Sequence, residues 1–346
     1  MTVNISEIAN SDIRGQQQFD SLLRRTGIKR DNNLDYIAGI YDENYTLIAS
    51  GACFKNTLRC LSVDEKYQGA GLMAPIVTHL LEYQVARGNR HLFLYTKCNN
   101  SSVFSALGFY EIARVDNEVV LMENIKNGFG GFLKCAGKKR KPGKTAALVM
   151  NCNPFTLGHR YLLERASKEN DTVHLFVVSE DMSLFPFAGR YELIKEGCAD
   201  LLNIVLHTTE SYMISSAVFP SYFLTDETAV IETQAKLDIE IFRQIACVLG
   251  VETRYMGEEP LSATTNIYNK IMKDALPGSG IDCIILPRIE YGGMPISASR
   301  VRELLRKGRI EECKELLPSS TFRYLFTEDG ERVIKKIQAA KHVIND

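Results

Sequence analysis

The sequence predicts an α/β chain in two parts: an α+β first half on an antiparallel sheet, and a second half on a parallel sheet. Three observations carry this. The segment YIAGIYDENYTLIASGACFKNTLRCLSV, from Tyr36, alternates short β-like runs with turn residues. From Thr145 onward, short apolar runs deliver the chain to amphipathic helical stretches, the pattern of βα units. Between them NGFGGFLKCAGKKRKPGK, from Asn127, mixes glycines, a proline and a basic cluster. The boundaries read are 1–130 for the first domain, 131–144 for a basic linker and 145–346 for the second domain. A chain of 346 residues is long for one core and comfortable for two.

In the first half, Asp42-Glu43-Asn44 and Lys55-Asn56 supply the turns of the antiparallel sheet. VDEKYQGAGLMAPIVTHLLEYQVARGNR then runs from a strand end through Gln68, Gly69, Ala70 and Gly71 into an amphipathic helix. A glycine loop that opens a helix presents backbone N–H groups to an anion. HLFLYTK reads as a strand, SSVFSAL as a short helix and GFYEIARV as a further strand.

The second half opens on TAALVMN, a buried strand, then Asn153, Pro154, Phe155, Thr156, Gly158 and His159, then the helix YLLERA. A strand, a glycine turn and a helix make a phosphate site, in which Thr156 and His159 face the crevice at the strand's C-terminal end. The alternative is a capping threonine and a locally bonded histidine. A second apolar strand from Ile281 leads through ISASRVR into a helix from about Ser299. Ser297 and Ser299 are cap residues with hydroxyls for phosphate, and Arg300 and Arg302 put cations on the first turn, against the helix dipole. A bound polyanion explains that placement, and so do solvated arginines. Ser179, Glu180 and Asp181 follow the strand HLFVV at the ligand-binding edge of the sheet, or form a polar turn. Arg190 reaches the phosphates or pairs with Glu192 or Glu196. Tyr212, Ser215 and Ser216 sit in a hydroxyl-rich aromatic stretch that could line an acid or pantetheine pocket. Glu258 and Glu259 fix ribose or a cation, or end the strand ETRYM.

Bulk properties narrow the function. A net charge of −1 and a pI near 6.6 give no polyanion-coating surface, so no nucleic-acid partner is expected. No apolar stretch is long enough for a bilayer, and MTVNISEIANSDIRGQQ has neither a basic n-region nor an h-region; the expectation is a cytoplasmic protein without a membrane partner. Nine cysteines without C-x-x-C or Cys/His ligand spacing read as reduced thiols, with no bound metal site. The cluster Lys138, Lys139, Arg140 and Lys141 touches an acidic partner or is a solvated linker.

T-x-G-H at Thr156–His159 and I-S-x-S-x-x-R at Ile296–Arg302 together resemble the two signatures of the HxGH nucleotidyltransferase superfamily, with threonine for the first histidine. The resemblance implies a Rossmann-like parallel-sheet nucleotidyltransferase domain and attack on the α-phosphate of ATP. It implies Thr156, His159 and Arg302 as catalytic groups, and ATP contacts from Asn153, Pro154, Phe155, Gly158, Ser179, Arg190, Ile296, Ser297 and Ser299, with Mg²⁺ on the triphosphate. The first half resembles the GNAT acyltransferase fold: its pyrophosphate loop maps to Gln68–Met73, and L-G-F-Y appears at Leu107–Tyr110. Met73 replaces that loop's last small residue. Phe104 stands where many GNAT enzymes carry the tyrosine that protonates the departing thiolate, which implies binding of a CoA-like group at Gln68, Gly69, Ala70 and Gly71 without acetyl transfer.

A GNAT-like half joined to an HxGH half resembles the citrate lyase ligase family, as do VVSEDMSLFPFAGRYELIKEG, TTESYMISSAVFPSYFL and RYMGEEPLSATTNIYN. That resemblance implies activation of acetate by ATP as acetyl-AMP. The acetyl group then passes to the thiol of a CoA-like prosthetic group on the acyl-carrier subunit of citrate lyase. Two alternatives use the same motifs: a mononucleotide adenylyltransferase making a dinucleotide, and a GNAT-type acetyl-CoA-binding regulator.

Overall fold

The computed structural model describes residues 4–179, 182–213, 219, 227–259 and 263–339. The chain divides into two compact units, one of residues 1–131 with 218–240 and the other of 132–217 with 241–346. The stretch read as a linker is helical up to Gly137, in the helix Gly128–Gly137, and non-helical from there to Lys144.

The first unit holds β1 (Ile5–Glu7), β2 (Tyr36–Tyr41), β3 (Leu47–Phe54), β4 (Thr57–Val63), β5 (Phe93–Thr96), β6 (Tyr110–Val115) and β7 (Val119–Glu123). They form one seven-stranded sheet in the order β1-β2-β3-β4-β5-β7-β6. Every pairing is antiparallel except β4 with β5. That parallel pair registers only at Thr57↔Phe93 and Leu58↔Leu94, although β4 runs on to Val63 and β5 to Thr96. Beyond Leu58 the two strands part, and the sheet opens between them. The helix Met73–Ala86 covers this region, burying Ile76, Val77 and Leu80 against the sheet.

The second unit holds β8 (Thr145–Met150), β9 (Thr172–Val177), β10 (Ile204–Thr208), β11 (Thr253–Gly257) and β12 (Asp282–Leu286), all parallel, in the order β10-β9-β8-β11-β12. The chain winds outward from β8 in one direction and resumes at β11 on its other side, so the strand order reverses between β8 and β11. β8 pairs with β9 along its whole length but with β11 only at Ala146 and Ala147. Their C-terminal ends separate, which is where open α/β sheets bind ligands. The α+β and parallel-sheet halves are those the sequence predicts.

One internal feature makes the second unit pH-sensitive. His174 on β9 and His207 on β10 lie side by side, Nδ1 to Nε2 at 2.8 Å, and are 0% and 5% exposed. The Phe176 ring stacks on His207. Burial, and after it the positive charge of Lys139, lower both pKa values, to about 4 for His174 and about 3 for His207. In the unfolded chain both titrate near their ordinary value of about 6.5. Their contribution is therefore complete above that pH and is lost as the pH falls, because the unfolded state takes up protons that the folded state refuses. Between pH 6.5 and 5 the unfolding free energy from urea titration should decline by up to about 1.4 kcal/mol per pH unit for each histidine. The double variant His174→Gln/His207→Gln should flatten that slope; an unchanged slope would assign the proton uptake to other groups.

Candidate active site

β8 ends at Met150, and the next five residues form a buried loop that delivers Thr156 to the start of the helix Leu157–Glu169. Asn153 is 1% exposed, and its Oδ1 accepts the Phe185 N–H at 3.0 Å; Pro154 follows through a cis peptide bond. Phe155, 0% exposed, lies in the core with its ring parallel to the His159 imidazole, centroids 6.0 Å apart. These side chains build the loop.

Thr156 caps the helix: its hydroxyl accepts the His159 N–H, while His159 Nδ1 accepts the Thr156 N–H at 3.1 Å and lies 2.9 Å from Thr156 Oγ1. The capping threonine and the bonded histidine are thus one arrangement. A backbone N–H can only donate, so Nδ1 carries no proton and the imidazole is the neutral Nε2–H tautomer. Burial first, then the charges of Arg288 and Arg302, hold its pKa down, to about 3. At neutral pH His159 is an uncharged donor among cations.

The second motif meets the first through its backbone. Gly158 faces the Ile296 carbonyl so closely that a Cβ there would lie 2.8 Å from the oxygen. The missing side chain thus lets the backbone of the second motif close on the first helical turn. Ser297 caps the helix Ala298–Arg306, one residue earlier than predicted, by accepting the Arg300 N–H at 3.1 Å. Arg300 turns away to the Tyr291 and Met294 carbonyls. Arg302, 0% exposed, donates to the Asn153 carbonyl at 2.5 Å and to Ser299 Oγ at 3.2 Å. Cations at a helix start, which the dipole disfavours, are thus placed by backbone carbonyls.

Arg190 is buried as well. It donates to the Phe185, Asn151 and Val178 carbonyls, holding the ends of β8 and β9 to the helix Phe187–Gly197. Neither glutamate named for it is its ion-pair partner: Glu192 pairs with Lys195 and Glu196 with Arg323. Ser179 Oγ accepts the Glu210 N–H, and its own N–H donates to Thr209, tying β9 to the end of β10. Glu180, Asp181, Ser215 and Ser216 lie outside the described residues. Tyr212 is buried in the second unit, where its ring meets Phe132.

Sequence reasoning missed Arg288. Its guanidinium donates to the Glu258 carbonyl at 2.8 Å and the Ile296 carbonyl at 3.3 Å, pairs with Glu259, and acts on His159. It lies eight residues before Ile296, in a loop with no helical or strand period, so only long-range packing brings it here. Among the described residues no group of three or more His, Cys, Asp or Glu side chains could hold a metal.

In the first unit, the gap between β4 and β5 is a cavity of about 500 Å³. Leu61, Ser62 and Val63 form one wall and Tyr95, Thr96 and Lys97 the other, with Gln68, Gly69 and Gly71 at its edge. Gly69 and Gly71 have φ of +84° and +76°, a left-handed backbone that favours glycine and turns the loop into the helix Met73–Ala86. Leu72 caps that helix without a side-chain bond, and Ala70 N–H is used within the loop. Phe104, 3% exposed, lines the cavity without a hydroxyl, and the Tyr67 hydroxyl there donates to Asp42. Phe219 packs edge-on against Tyr95, one of the residues of this wall.

Two outcomes follow from this geometry. Gly158→Ala gains up to about 1 kcal/mol of helix propensity but forces the motifs apart at a cost of about 1–3 kcal/mol. The melting temperature should fall by a few degrees; a rise would mean the approach to Ile296 is slack. Arg288→Gln removes one of the charges that depress His159, so the imidazole pKa, followed by NMR, should climb from about 3 yet stay below its ordinary value because burial persists. A titration curve identical to the parent's would separate Arg288 from His159.

The model of the citrate lyase ligase C-terminal domain matches residues 145–325. The chain is 38% identical over 316 residues to the [citrate [pro-3S]-lyase] ligase of Klebsiella pneumoniae, covering 90% of this chain and 92% of that one. It is 34% identical over 328 residues to the ligase of the same name from Escherichia coli K12, covering 92% and 93%. Among solved structures, the ribosomal-protein-S18-alanine N-acetyltransferase of Escherichia coli aligns with 35% of this chain and 91% of its own at 18% identity, with a TM-score of 0.28. With relatives of one name matched along nine-tenths of its length, and that family's own domain in its parallel-sheet half, the chain belongs to the citrate lyase ligase family.

Proposed function

We propose that the chain uses ATP to activate acetate as acetyl-AMP, releasing pyrophosphate, and then acetylates the thiol of the CoA-like prosthetic group on the acyl-carrier subunit of citrate lyase. The observation that carries the first half is the convergence of His159 and Arg302 on the loop after β8, at the sheet's switch point. An acetate oxygen attacks the α-phosphorus, the bond to the bridging oxygen breaks, and pyrophosphate leaves with that electron pair. No covalent enzyme intermediate is needed, so the protein's work is positioning and charge stabilisation.

Each residue has a part in this reading. His159 donates from Nε2 to an α-phosphoryl oxygen, its tautomer fixed by Thr156. An arriving polyanion favours the protonated imidazole and offsets the cations that had disfavoured it. Arg302 holds the Asn153 carbonyl and supplies positive potential from beneath the loop. Asn153, Pro154, Phe155 and Gly158 shape the ATP cradle, Ile296, Ser297 and Ser299 form its far side, and Ser179 and Arg190 hold the strand ends beneath it. Mg²⁺ suits such a site as the triphosphate's own counter-ion, since this cation keeps several waters and binds largely through phosphates.

In the second half-reaction the carrier's thiolate attacks the acetyl carbonyl carbon, AMP departs, and the thiol proton goes to solvent. The cavity between β4 and β5 suits a pantetheine-like arm, with the Gln68-Gly69-Ala70-Gly71 loop on its phosphates. Phe104 there lacks a proton to give, which fits binding better than acetyl transfer.

The test separates the two half-reactions. Acetate-dependent exchange of pyrophosphate into ATP should fall by roughly a hundredfold or more in His159→Ala, as for the loss of one charge-stabilising donor. Gly71→Glu should leave that exchange intact and sharply reduce carrier acetylation. Exchange driven by a mononucleotide rather than acetate would replace this reading with the dinucleotide-forming one.

A further inference from the structure

Lys134, Lys138, Lys139, Arg140, Lys141 and Lys144 lie within eleven residues of chain, all exposed. No aspartate or glutamate occurs from Asn124 to Leu163, so nothing in the local sequence balances them. Among the described residues none of the six is in an ion pair. Elsewhere on this surface cations come with carboxylates: Arg165 with Glu169, Arg306 with Glu303, Arg309 with Glu312. Two of the six are tied down by other means. Lys139 Nζ donates to the Leu206 carbonyl at 2.7 Å, and the Arg140 guanidinium lies over Gly250, 3.0 Å from where a Cβ would be.

Local structure accounts for part of the run. The helix Gly128–Gly137 ends here, and its dipole favours Lys134 and, at the terminus, Lys138. That effect falls off within the last turn, so it does not reach Lys141 or Lys144. At one end of the run Asp171 accepts the Lys144 N–H at 2.7 Å and Glu169 feels the Lys144 charge, but Lys134, Lys138 and Lys141 are in no ion pair among the described residues, so their mutual repulsion is a cost. It acts inward too: the charges of Lys139 and Lys141 reach His174, and that of Lys139 reaches His207.

We propose that this run is the docking surface for an acidic face of the protein carrying the acyl-accepting thiol, an inference resting on the function proposed above. A carrier that must arrive, be acetylated and leave in every turnover needs fast association more than tight binding. Unpaired rim charge provides that: it steers encounter and adds little to residence time. The whole chain's charge of −1 confines the attraction to one patch and argues against a general polyanion-coating role.

The experiment uses the full chain with Lys134→Glu, Lys138→Glu and Lys141→Glu, substitutions at exposed side chains without bonds in the fold. Binding of the carrier subunit prepared without its prosthetic arm, followed by fluorescence anisotropy, isolates docking from chemistry. At low salt the triple variant should bind at least about tenfold more weakly, through a slower on-rate, with a flatter salt dependence. Pyrophosphate exchange driven by acetate should be unchanged, and it reports separately on the adenylation reading. Equal affinity of parent and variant, or no binding of the armless carrier by the parent, would overturn the docking surface even if exchange proceeds. Preferential capture of an RNA oligonucleotide by the parent, lost in the variant, would overturn it in favour of a nucleic-acid partner.

Discussion

The bond from Arg302 to the Asn153 carbonyl joins residues 149 positions apart, and the candidate active site depends on it. A buried guanidinium is expensive to desolvate, and carbonyl oxygens are what make it tolerable. Because the bond goes to main chain, it fixes the path of the loop regardless of the side chains on it. Gly158 then allows the Ile296 carbonyl to close against the first helical turn, so the two motifs share one backbone surface. Arg190 does the same service at the other flank, joining the ends of β8 and β9. Two buried arginines therefore bond the carbonyls of the frame, and the frame sets the position of one imidazole.

The electrostatic consequence is a site biased towards anions before any arrive. His159 is neutral because burial and two neighbouring guanidinium groups make its charged form costly. The same cations that hold it neutral would attract a triphosphate, and a triphosphate reverses the sign of the potential the imidazole feels. Arg288, paired with Glu259 and bonded to two carbonyls, is the less confined cation of the pair acting on His159. Its carboxylate partner tempers the local charge without removing it.

What the sequence disclosed follows from interaction range. The strands, the capping threonine and the serine cap of the second motif depend on residues within four positions of one another, and the residue pattern exposes them. The fold class was legible because antiparallel turns and βα units have different local signatures. Arg288 was not, because its partners come from the residues just after β11 and from the start of the second motif, and no local period marks it. The grouping of 218–240 with the first unit was equally hidden, since it rests on contacts between residues far apart in the chain. The contact of Gly158 with the Ile296 carbonyl was hidden too, since only tertiary structure supplies that neighbour.

Shape and acidity are separate requirements for a pocket that handles a thiol, and the cavity of the first unit supplies the first more plainly than the second. Its opening comes from two parallel strands that stop pairing after Leu58 and Leu94, a backbone feature indifferent to most side-chain replacements. Proton donation to a leaving thiolate would need a hydroxyl free to give its proton, and Phe104 brings an apolar ring to the lining instead. Of the other hydroxyls on the wall, Tyr67 is committed to Asp42, and burial followed by that carboxylate raises its pKa. A donor held that way is less ready to release a proton at neutral pH, whereas the apolar wall loses none of its capacity to enclose an extended chain. In the function proposed above, that combination suits holding a thiol-bearing arm better than cleaving a thioester, with bond-making left to the parallel-sheet unit, where positive charge and a neutral imidazole are gathered.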